Sequence, residues 1–493
     1  MTPTPWERLD SFHHQRVLVV GEAMLDSYLE GASSRLCQEA PVPIVAVSSR
    51  SDAPGGAANV AVNVCALGGR ARLLSVVGAD QAADTVRTGL EGRGVGTEDL
   101  VADPRRRTLS KGRVVSNGQL VVRVDEGTTD PVSPEVQAEL VARLSAQWAH
   151  CDAVVVSDYG YGVVSKDVID AIASLQRRDE RLLVVDAKDP TRYRDAGVSA
   201  VKPNYAQVVR LLGRDLGRGD ARLDGVIEGG ERLLELTGAH IAAVTLDATG
   251  AVVLERDRPP YRTFARPTSD VSAAGAGDTF TSTFTLALAS GADMPAAAEL
   301  ASAAAGVVVG KQRTATCSAL ELREHFSPAA KYIADAARLE DAMECHRRQR
   351  RRVVMTNGCF DIIHRGHVTY LNRAKTLGDV LVVGVNSDAG VARLKGPARP
   401  INSLEDRVQV LAALSSVDHV VVFDEETPER LIERIRPQVF VKGGDYTLEM
   451  LPEADAVRAH GGEVHILSYV EDRSTSGIIE RIRASEGAAG RAS

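Results

Sequence analysis

Long apolar runs, a signal peptide and a surplus of basic residues are all missing from this 493-residue chain. No stretch approaches the roughly 18 to 20 apolar residues of a membrane span, and the N-terminal MTPTPWERLDSFHHQR lacks the apolar core of a signal peptide. The formal net charge of -8 speaks against a general binder of nucleic acid or of anionic membranes. These absences predict a cytoplasmic protein without nucleic-acid or membrane partners.

Paired cysteines and a Walker A loop are also missing. The six cysteines are scattered without a C-x-x-C pair, which predicts reduced thiols rather than a disulfide framework. The nearest approach to a Walker A loop, GVVVGKQ (306–312), is one residue short and lacks the Ser or Thr. Hydrophobic residues make up 44% and charged residues 25%, as in an ordinary globular protein, and the length predicts two or three domains.

Short β-branched runs alternate with longer helical stretches from Arg16 to about Leu322. Buried parallel strands have this signature, and the alternation is typical of a layered α/β domain. The predicted strands are RVLVVG, ARLLSVVG, DAVVVSDYG, RLLVVDAK and HIAAVTL, and the predicted helices include AANVAVNVCALG and TFTSTFTLALASG.

A basic helical stretch, SPAAKYIADAARLEDAMECHRRQRRR, separates this region from a second alternation. It shows no strand pattern, and its arginines form either a phosphate or nucleic-acid patch or the solvated end of a linker helix. The second alternation contains RVVMTNG, VLVVGVNSD, HVVVFDE, QVFVKGGD and EVHILSY, which predicts a smaller Rossmann-like domain. We therefore expect a first domain over residues 1–325, a helical linker over 326–350 and a second domain over 351–493.

The first chemical feature is a glycine pair ahead of a helical pattern, PGGAANVAVNVCALGG (54–69). Gly55 and Gly56 let a ligand approach the main chain, and Asn59, one turn further, can offer its amide to a sugar hydroxyl. Glycines at a helix start are also common packing devices, so both interpretations stay open.

The second feature is AAGAGDTFTSTF (273–284). The backbone N–H groups of Gly275, Ala276 and Gly277 at a helix N-terminus predict an anion hole. Asp278 at its mouth either accepts a proton from an attacking hydroxyl or merely caps the helix.

In this order, the two features resemble the ribokinase family of sugar kinases. The opening VVGEAMLDSYLEGASSRLCQEAPVPIVAV, with Gly21, Asp26, Arg35 and EAPVP, is similar to the heptose 7-phosphate kinase branch. The resemblance implies a ribokinase-like fold and phosphoryl transfer from ATP with Mg²⁺. Asp278 would then activate the anomeric hydroxyl. The other implied roles are sugar binding by Asp26, Arg35, Gly55, Gly56 and Asn59, and phosphate binding by Asn204, Gly275, Ala276 and Gly277.

Three elements depart from the pattern of that family. Ser272, Ala273 and Ala274 stand where Asp-x-Thr/Ser normally precedes Gly-Ala-Gly-Asp. Gln207 replaces the Glu of Asn-x-x-Glu, which is linked to Mg²⁺ and phosphate, and Tyr161 replaces the Lys of SDYGKG. The alternative is therefore a weakened kinase domain kept for dimerisation or structure.

Two histidines three positions apart occur in TNGCFDIIHRGHVTYL (356–371), between a strand pattern and a helical pattern. A zinc site would need a third ligand, and His-Arg-Gly-His lacks the Glu of the zinc motif. As loop residues, both would bond to the backbone. As catalytic groups, His364 and His367 would share one face of a helix N-terminus and donate hydrogen bonds to phosphate oxygens.

The stretch TNGCFDIIHRGHVTYLNRAKTLGD resembles the nucleotidylyltransferase superfamily with its His-x-Gly-His signature. Similarity continues through VNSD, RLKGPARPIN, EDRVQVLAAL, VKGGDY and EDRSTSGII, to the heptose 1-phosphate adenylyltransferase branch. The resemblance implies that His364, His367 and Lys395 stabilise charge while a sugar phosphate attacks the α-phosphate of ATP. The other implied nucleotide and phosphate contacts are Asn357, Gly358, Phe360, Asp361, Lys375, Asp388, Arg399, Ser474, Thr475 and Ser476. For Lys375 and Arg399, a solvated surface charge is the alternative.

Both resemblances point to ADP-heptose synthesis, whose product would feed the lipopolysaccharide core or another heptosylated product. They imply phosphorylation of D-glycero-D-manno-heptose 7-phosphate at O1 and adenylyl transfer to heptose 1-phosphate, with a separate phosphatase acting in between. The alternatives are CTP in place of ATP in the second half, or a nucleotide-sensing regulator without catalysis.

A β-hairpin is predicted in TLSKGRVVSNGQLVVRVDE (108–126), because Asn117-Gly118 is a strong turn signal. The ribokinase family often dimerises through such strands over its sugar site, so the resemblance implies a homodimer.

Overall fold

The computed structural model describes residues 7–217, 221–265, 274–326, 331–444, 447 and 450–467. Two compact units make up the chain, Met1–Arg323 and Glu324–Ser493. No helix within the described ranges is both long and apolar enough to cross a membrane.

A nine-stranded sheet forms the centre of the first unit. In chain order, the strands of this unit are β1 (Arg16–Gly21), β2 (Ala23–Leu36), β3 (Pro43–Gly56), β4 (Arg70–Val77), β5 (Leu100–Ala102), β6 (Leu109–Ser116), β7 (Gln119–Glu126), β8 (Ala153–Asp158), β9 (Leu182–Ala187), β10 (Ala200–Val201), β11 (Ile241–Thr245), β12 (Ala251–Glu255) and β13 (Tyr261–Thr263). The sheet order is β13-β12-β11-β10-β9-β8-β1-β4-β5. The predicted strands are β1, β4, β8, β9 and β11, and their parallel pairing is confirmed.

Helices cover this sheet. They are α1 (Ala57–Ala66), α2 (Gln81–Glu91), α3 (Pro134–Trp148), α4 (Lys166–Arg178), α5 (Tyr205–Leu212), α6 (Ala221–Glu228), α7 (Gly230–Thr237), α8 (Ala276–Ala289), α9 (Met294–Val309) and α10 (Ala319–Phe326). Strand β8 is buried along its whole length, as expected for a parallel strand covered on both faces. Val154 and Val156 of β8 share one core cluster with Leu140 and Leu144 of α3 and Ile172 of α4. The two predicted helices are α1 and α8.

A second, four-stranded sheet of order β3-β2-β6-β7 belongs to the same unit, and we call it the lid sheet. The predicted hairpin is confirmed as β6 and β7, which pair antiparallel around Asn117 and Gly118. Both turn residues have positive φ, 50° and 77°, as a tight hairpin turn requires. Strand β7 is exposed along its length, including Leu120, Val122 and Val124.

The second unit is a smaller parallel sheet with helices. Its strands are β14 (Tyr332–Ile333), β15 (Val353–Gly358), β16 (Val380–Asn386), β17 (His419–Phe423), β18 (Val439–Gly443) and β19 (Glu463–Leu467), in the order β14-β17-β16-β15-β18-β19. Its helices are α11 (Ala336–Arg348), α12 (Arg365–Lys375), α13 (Asp388–Lys395), α14 (Leu404–Ala413), α15 (Glu429–Ile435) and α16 (Glu453–Ala459). All five predicted strands are confirmed, with the predicted parallel pairing.

The prediction of one helical linker without strand character was wrong in part. Tyr332 and Ile333 form β14, which pairs in parallel with β17 at Val420 and Val421. Helix α11 covers only part of the predicted stretch, and its Met343 is fully buried in the core of the second unit. The composition of this segment indicates a solvated helix. Its structure is instead determined by pairing at the edge of the sheet and by burial of residues such as Met343.

Candidate active sites

The first candidate site lies at the start of α8, beside the carboxyl ends of β8, β9 and β10. A cavity of about 420 Å³ opens there, and its walls include Tyr159, Asp186, Lys202, Gly277 and Asp278. Ligands of open α/β sheets bind at the carboxyl ends of the strands, and this volume suits a small ligand. The cavity therefore has the position and size of a substrate site.

Helix α8 begins at a glycine for a steric reason. Gly275 has φ 87°, and a Cβ there would lie 2.9 Å from Nδ2 of Asn59. This N-cap residue provides no side-chain hydrogen bond to the helix. The first backbone N–H groups of α8 are therefore open to an anion, as the sequence predicts for 275–277.

Asp278 lies in the first turn of α8, surrounded by protein atoms, and its carboxylate borders the cavity. Its Oδ2 accepts a hydrogen bond of 2.7 Å from Nδ2 of Asn59, and its Oδ1 accepts one of 3.1 Å from the hydroxyl of Tyr159. Burial raises the pKa of Asp278 to about 6, against the lowering effect of the Asn59 amide and of the nearby Lys202 ammonium. Because both oxygens are held by distant residues, the helix-cap interpretation is wrong. The carboxylate is placed to accept a proton near neutral pH.

Asn204 and Gln207 occupy another wall of this cavity. They form a capping box, in which Oδ1 of Asn204 accepts from the Gln207 backbone at 2.9 Å and Oε1 of Gln207 accepts from the Asn204 backbone at 2.7 Å. Nε2 of Gln207 donates to the carbonyl of Ala187 at 3.1 Å. The Asn204 side chain, predicted to bind phosphate, therefore caps α5 in this structure.

The predicted sugar-binding residue Asp26 is buried where β2 enters the lid sheet. Its Oδ1 pairs with the Arg113 guanidinium at 2.7 Å, and its Oδ2 accepts from the Thr314 hydroxyl at 2.9 Å. A Cβ at Gly55 would lie 2.6 Å from Oδ2 of Asp26, and Gly56 has φ 59°. The two glycines thus make room for this carboxylate and admit the turn into α1.

Arg35 does not lie beside Asp26. It is exposed near the far end of β2, nine positions along the strand. At ~3.3 Å per residue, the two residues are ~30 Å apart along the strand. The sugar-binding role implied for Arg35 therefore stays a prediction, and the structure places this residue apart from Asp26.

The second candidate site lies at the carboxyl end of β15, where α12 begins. His364 is the N-cap of α12, and its Nδ1 accepts a hydrogen bond of 3.1 Å from the backbone N–H of Gly366. The Nε2 atom is therefore the ring nitrogen that carries the proton in the neutral form. The His364 and His367 ring centroids are 4.1 Å apart, so the predicted common face is confirmed.

His367 is mostly buried. Burial, together with the neighbouring His364, lowers the pKa of its imidazole to about 4. The Phe360 ring lies 5.6 Å from the His367 ring, and Phe360 adopts φ 48°, a conformation uncommon for a residue with a side chain. A Cβ at Gly358 would lie 3.1 Å from the Phe360 ring. At neutral pH His367 is therefore an uncharged hydrogen-bonding group.

Asp361 fastens a neighbouring loop. It is buried, its Oδ1 accepts from the backbone of Ile401 at 2.7 Å and of Asn402 at 3.0 Å, and its Oδ2 pairs with Arg399 at 2.5 Å. The predicted ligand contacts Asp361 and Arg399 thus neutralise each other in this structure.

Lys375 lies far from the histidines. It is the last residue of α12, ~15 Å from the first at ~1.5 Å per residue. Its ammonium is buried and bonds at 2.5 Å to Asp418 and to the carbonyl of Asp379. The predicted phosphate contact at Lys375 is therefore wrong, and so is the alternative of a solvated charge. Lys395, by contrast, is an exposed residue at the end of α13.

Asn357 and Asp388, two of the predicted nucleotide contacts, bond to cationic residues that the sequence analysis missed. Oδ1 of Asn357 accepts from the Lys442 ammonium at 3.1 Å, and Lys442 also bonds to the buried Glu453. Oδ1 of Asp388 accepts from Arg407 at 2.7 Å. The fully buried Arg407 also donates to the carbonyls of 359 and 386, which joins the ends of β15 and β16.

In the first unit, the residues that the sequence analysis missed are Tyr159 and Lys111. The Lys111 ammonium lies 5.0 Å from the Tyr159 ring centroid and 5.8 Å from that of Tyr161, and burial lowers its pKa. The charges of Asp26 and Asp125 oppose this lowering in part. Tyr159 and Tyr161 both belong to the sequence SDYGYG. Only the fold brings Tyr159 to Asp278 and both rings to Lys111.

Several predicted residues lie outside the described part of the chain. They are Ser272, Ala273, Ser474, Thr475 and Ser476. In the residues that are described, no group of three or more His, Cys, Asp or Glu side chains is placed to hold a metal ion.

Comparison with known families assigns each unit. The pfkB family of carbohydrate kinases matches residues 14–321, and the cytidylyltransferase-like family matches residues 355–485. Among solved structures, Phosphofructokinase-2 from Escherichia coli in complex with potassium has a TM-score of 0.52 at 19% identity, over 63% of this chain and 97% of that one. Arabidopsis thaliana ribokinase complexed with ribose and ATP has a TM-score of 0.50 at 18% identity, over 63% and 98%. The ribokinase-like fold is therefore confirmed.

Similarity to curated proteins extends over both units. The bifunctional protein HldE of Azotobacter vinelandii is 42% identical over 477 residues, covering 96% of this chain and 98% of the relative. The protein of that name in Hahella chejuensis is 40% identical over 479 residues, covering 97% and 98%. The chain therefore belongs to the family of bifunctional HldE proteins, in which a pfkB-type carbohydrate kinase precedes a cytidylyltransferase-like nucleotidyltransferase.

Proposed function

We propose that the chain catalyses two steps of ADP-heptose synthesis. The first unit phosphorylates D-glycero-D-manno-heptose 7-phosphate at O1 with ATP and gives the 1,7-bisphosphate. The second unit transfers the adenylyl group of ATP to heptose 1-phosphate and gives ADP-heptose and pyrophosphate. The observation that supports this best is the near full-length similarity to bifunctional relatives. The cavity beside Asp278 in the first unit and the His364–His367 pair in the second unit agree with it.

In the kinase step, Asp278 accepts the proton of the O1 hydroxyl as that oxygen attacks the γ-phosphorus of ATP. Asn59 and Tyr159 hold the carboxylate in place, and the start of α8 binds the transferring phosphoryl group through backbone N–H groups. Asp26 binds sugar hydroxyls. Lys111, whose ammonium lies 5.0 Å from the ring centroid of Tyr159, is the cation that we propose for the phosphate of the substrate.

Mg²⁺ fits the kinase site as a companion of ATP. Magnesium commonly takes one or two carboxylates and fills its other positions with phosphate oxygens and water, so a dedicated cluster of ligands is not required. Asp186, a carboxylate of the cavity wall that is paired with Lys202 at 2.6 Å, would hold it, since the amide of Gln207 is committed to the capping box. The ion would neutralise charge on the phosphates of the nucleotide.

In the adenylyl step, a phosphate oxygen of the sugar attacks the α-phosphorus of ATP, and pyrophosphate leaves. His364 and His367 donate hydrogen bonds to the phosphates, and His367 does so as a neutral imidazole because of its low pKa. Lys395 and the segment 474–476 are proposed to bind the nucleotide phosphates. A separate phosphatase has to remove the 7-phosphate between the two reactions, and we place both in the cytoplasm.

The test uses the purified full chain. Heptose 7-phosphate with Mg-ATP is followed for ADP release, and heptose 1-phosphate with ATP or CTP is followed for pyrophosphate release. We expect both activities, with ATP preferred; a preference for CTP would favour the cytidylyltransferase alternative, which the name of the matching family motivates. Asp278→Asn should abolish only ADP release, and His367→Ala only pyrophosphate release, so each variant controls for the folding of the other.

The alternative of a structural, inactive kinase unit is not supported. The pfkB family match extends through the first unit, and Asp278 keeps hydrogen-bonding partners on two other elements. ADP release that persists unchanged in Asp278→Asn would show that the activity comes from elsewhere.

We also propose a homodimer formed through the lid sheet. Strand β7 exposes the apolar side chains of Leu120, Val121, Val122 and Val124, and exposed apolar surface on a strand often marks a protein–protein interface. Light scattering should give twice the mass of the chain, and Val122→Lys combined with Val124→Lys should give the mass of a monomer. A monomeric wild-type chain would exclude this assembly.

A further inference from the structure

Glu22 is a buried carboxylate of the kinase unit that the proposed reaction does not use. It lies between β1 and β2 and is 0% exposed. Its Oε2 accepts a hydrogen bond of 2.7 Å from the backbone N–H of Tyr159, and its Oε1 accepts one of 3.2 Å from the backbone N–H of Val163. Both donors belong to the segment YGYGV (159–163), which follows β8 and which we call the tyrosine loop. One buried carboxylate therefore joins the two ends of this loop.

Other buried side chains hold the tyrosine loop from its remaining sides. Oδ1 of Asp158 accepts a hydrogen bond of 2.8 Å from the backbone N–H of Gly160, and the guanidinium of Arg106 donates one of 3.2 Å to the carbonyl of Tyr161. Together with the two bonds to Glu22, these contacts fix the loop backbone through ionisable groups behind it. A buried polar contact of this kind is costly to lose.

The tyrosines of the loop point into the candidate site. Both line the cavity beside Asp278, and the Tyr159 hydroxyl donates to Oδ1 of Asp278 at 3.1 Å. The Tyr159 and Tyr161 rings are stacked with centroids 6.2 Å apart, and the Lys111 ammonium lies over both. The same residue thus bonds to Glu22 through its backbone and to Asp278 through its side chain. A shift of the loop would move the hydroxyl away from the carboxylate that accepts the proton.

We propose that Glu22 is a positioning residue of the kinase unit, which anchors the tyrosine loop from behind and thereby holds the Tyr159 hydroxyl against Asp278. The proposal rests on the proposed kinase function. The ionised carboxylate of Glu22 offers two acceptor oxygens to the loop. In the protonated form one oxygen carries a hydrogen and meets a backbone N–H as a second donor, so the loop is held best when Glu22 is ionised.

The ionisation of Glu22 falls within the pH range in which the enzyme can be assayed. Burial and the charge of Asp158 together raise the pKa of Glu22 to about 7, against the lowering effect of the backbone N–H groups of the loop. The charged and titratable groups that face Glu22 are Asp158 at the end of β8, Arg106 after β5 and Tyr193 in the short helix after β9. As the pH falls through about 7, Glu22 gains a proton and the loop loses an acceptor, so the anchoring weakens.

A purely structural role for Glu22 makes a different prediction for Glu22→Gln. If Glu22 only stabilised the fold, the substitution would lower kcat by a factor that does not vary with pH. If Glu22 positions the loop, glutamine resembles the protonated carboxyl, because it has one acceptor oxygen and one donor group. Wild type and variant should then have the same kcat at low pH and diverge as the wild-type carboxyl ionises.

The experiment compares wild type, Glu22→Gln and the exposed control Glu180→Gln in the full chain. The kcat for ADP release is measured from about pH 5.5 to about pH 8.5. Protonation of Asp278 slows all three proteins at low pH, so the ratio of each kcat to that of wild type is the quantity to follow. We expect Glu22→Gln to match wild type within twofold at the acid end and to be ~10-fold slower at the alkaline end, as for loss of one buried hydrogen bond. Glu180→Gln should match wild type throughout.

A double variant tests whether Glu22 acts through Tyr159. Glu22→Gln combined with Tyr159→Phe should be no slower than the slower of the two single variants, because the anchor has no effect once the hydroxyl is gone. Losses that multiply in the double variant would show that Glu22 acts by another route and would overturn the proposal. A ratio for Glu22→Gln that does not change with pH, or a kcat within threefold of wild type at the alkaline end, would overturn it as well.

Pyrophosphate release by the second unit shows whether each variant is intact. If Glu22→Gln does not fold, Glu22→Asp keeps the charge but withdraws it from the loop by one methylene group, and its kcat should fall at least threefold at the alkaline end; a wild-type kcat would contradict the anchoring. Hydrogen exchange of the amides of residues 159–163 needs no substrate and should be faster in Glu22→Gln than in wild type at about pH 8. Faster exchange in a chain whose wild type releases no ADP would count against the proposed sugar reaction alone, whereas unchanged exchange would refute the role of Glu22.

Discussion

Replacing Asp278 by asparagine should stop the kinase reaction and, above about pH 7, raise the free energy of unfolding of the first unit. The amide has the shape of the carboxylate and can keep both hydrogen bonds, since its oxygen accepts from Asn59 and its nitrogen donates to the Tyr159 oxygen. It cannot accept the proton of the attacking hydroxyl. Removal of a general base typically slows a reaction by about 10²- to 10⁴-fold.

The stability gain follows from the raised pKa of Asp278. In the folded chain the pKa is about 6, against 3.8 for an ordinary aspartate. Between these values the folded state binds the proton more tightly than the unfolded state, so the free energy of unfolding falls as the pH rises and the loss is complete above about pH 7. At 1.36 kcal/mol per pKa unit the loss is about 3 kcal/mol, an upper limit because the cavity admits water. Asparagine has no charge and avoids this loss.

Tryptophan fluorescence during urea unfolding is the suitable assay. The chain has two tryptophans, Trp6 and Trp148, and Trp148 is buried at the end of α3 in the first unit. Wild type, Asp278→Asn and the exposed control Asp195→Asn would be unfolded at pH 4.5 and pH 8. We expect Asp278→Asn to be more stable than wild type by about 1 to 3 kcal/mol at pH 8 and by less at pH 4.5, with no comparable gain in Asp195→Asn.

A stability gap that does not change with pH, or an Asp278→Asn chain less stable than wild type at pH 8, would refute this reasoning. Unchanged pyrophosphate release in the variant establishes that the chain as a whole is intact. Loss of both activities would instead indicate misfolding, which the fluorescence curves would reveal.

Three further results are expected. Tyr159→Phe removes a hydrogen bond that lowers the pKa of Asp278, so the acid limb of the pH–rate profile for ADP release should move to higher pH, and an unmoved limb would contradict this assignment. The unfolded chain binds a proton at His367 near pH 6.5 and the folded chain only near pH 4, so the second unit should lose stability as the pH falls between these values; His367→Gln should reduce that loss in circular dichroism and slow pyrophosphate release ~10²-fold. Lys442→Met leaves the buried Glu453 unpaired and should lower the free energy of unfolding by about 3 kcal/mol, most of which Glu453→Gln should restore in the double variant.

The central strands could be predicted because their information is local. A strand with both faces covered has to be apolar along its length, and runs such as VLVV in β1 and VVM in β15 carry that pattern in a few residues. Strand β14 could not, because Tyr332 and Ile333 are too few to show a period and lie in a helical composition. Their conformation comes from pairing with a strand almost 90 positions later.

The positions of Asp278, His364 and His367 could be predicted, because in each case a sequence signature coincides with a helix start. The contacts of a charged side chain could not be predicted where the sequence is compatible both with a ligand contact and with an ion pair inside the protein. Lys375 reads as a cation near a phosphate motif, but the length of α12 carries it to the opposite end, where it meets Asp418. Lys202 acquires its position only when β10 and α8 meet in space, and no spacing in the sequence reports that encounter.

The order of strands in the central sheet also has a consequence for synthesis on the ribosome. From β1, strands β8 to β13 add outward on one side in the order in which they are made, and β4 and β5 add on the other. Each newly made strand therefore finds its neighbour already present, which allows the sheet to grow while the chain emerges. Helix α8 comes after the last of these strands, so Asp278 would reach Asn59 and Tyr159 only when the sheet is complete. In the second unit, β14 is the exception, because it has to wait for β17 to be translated.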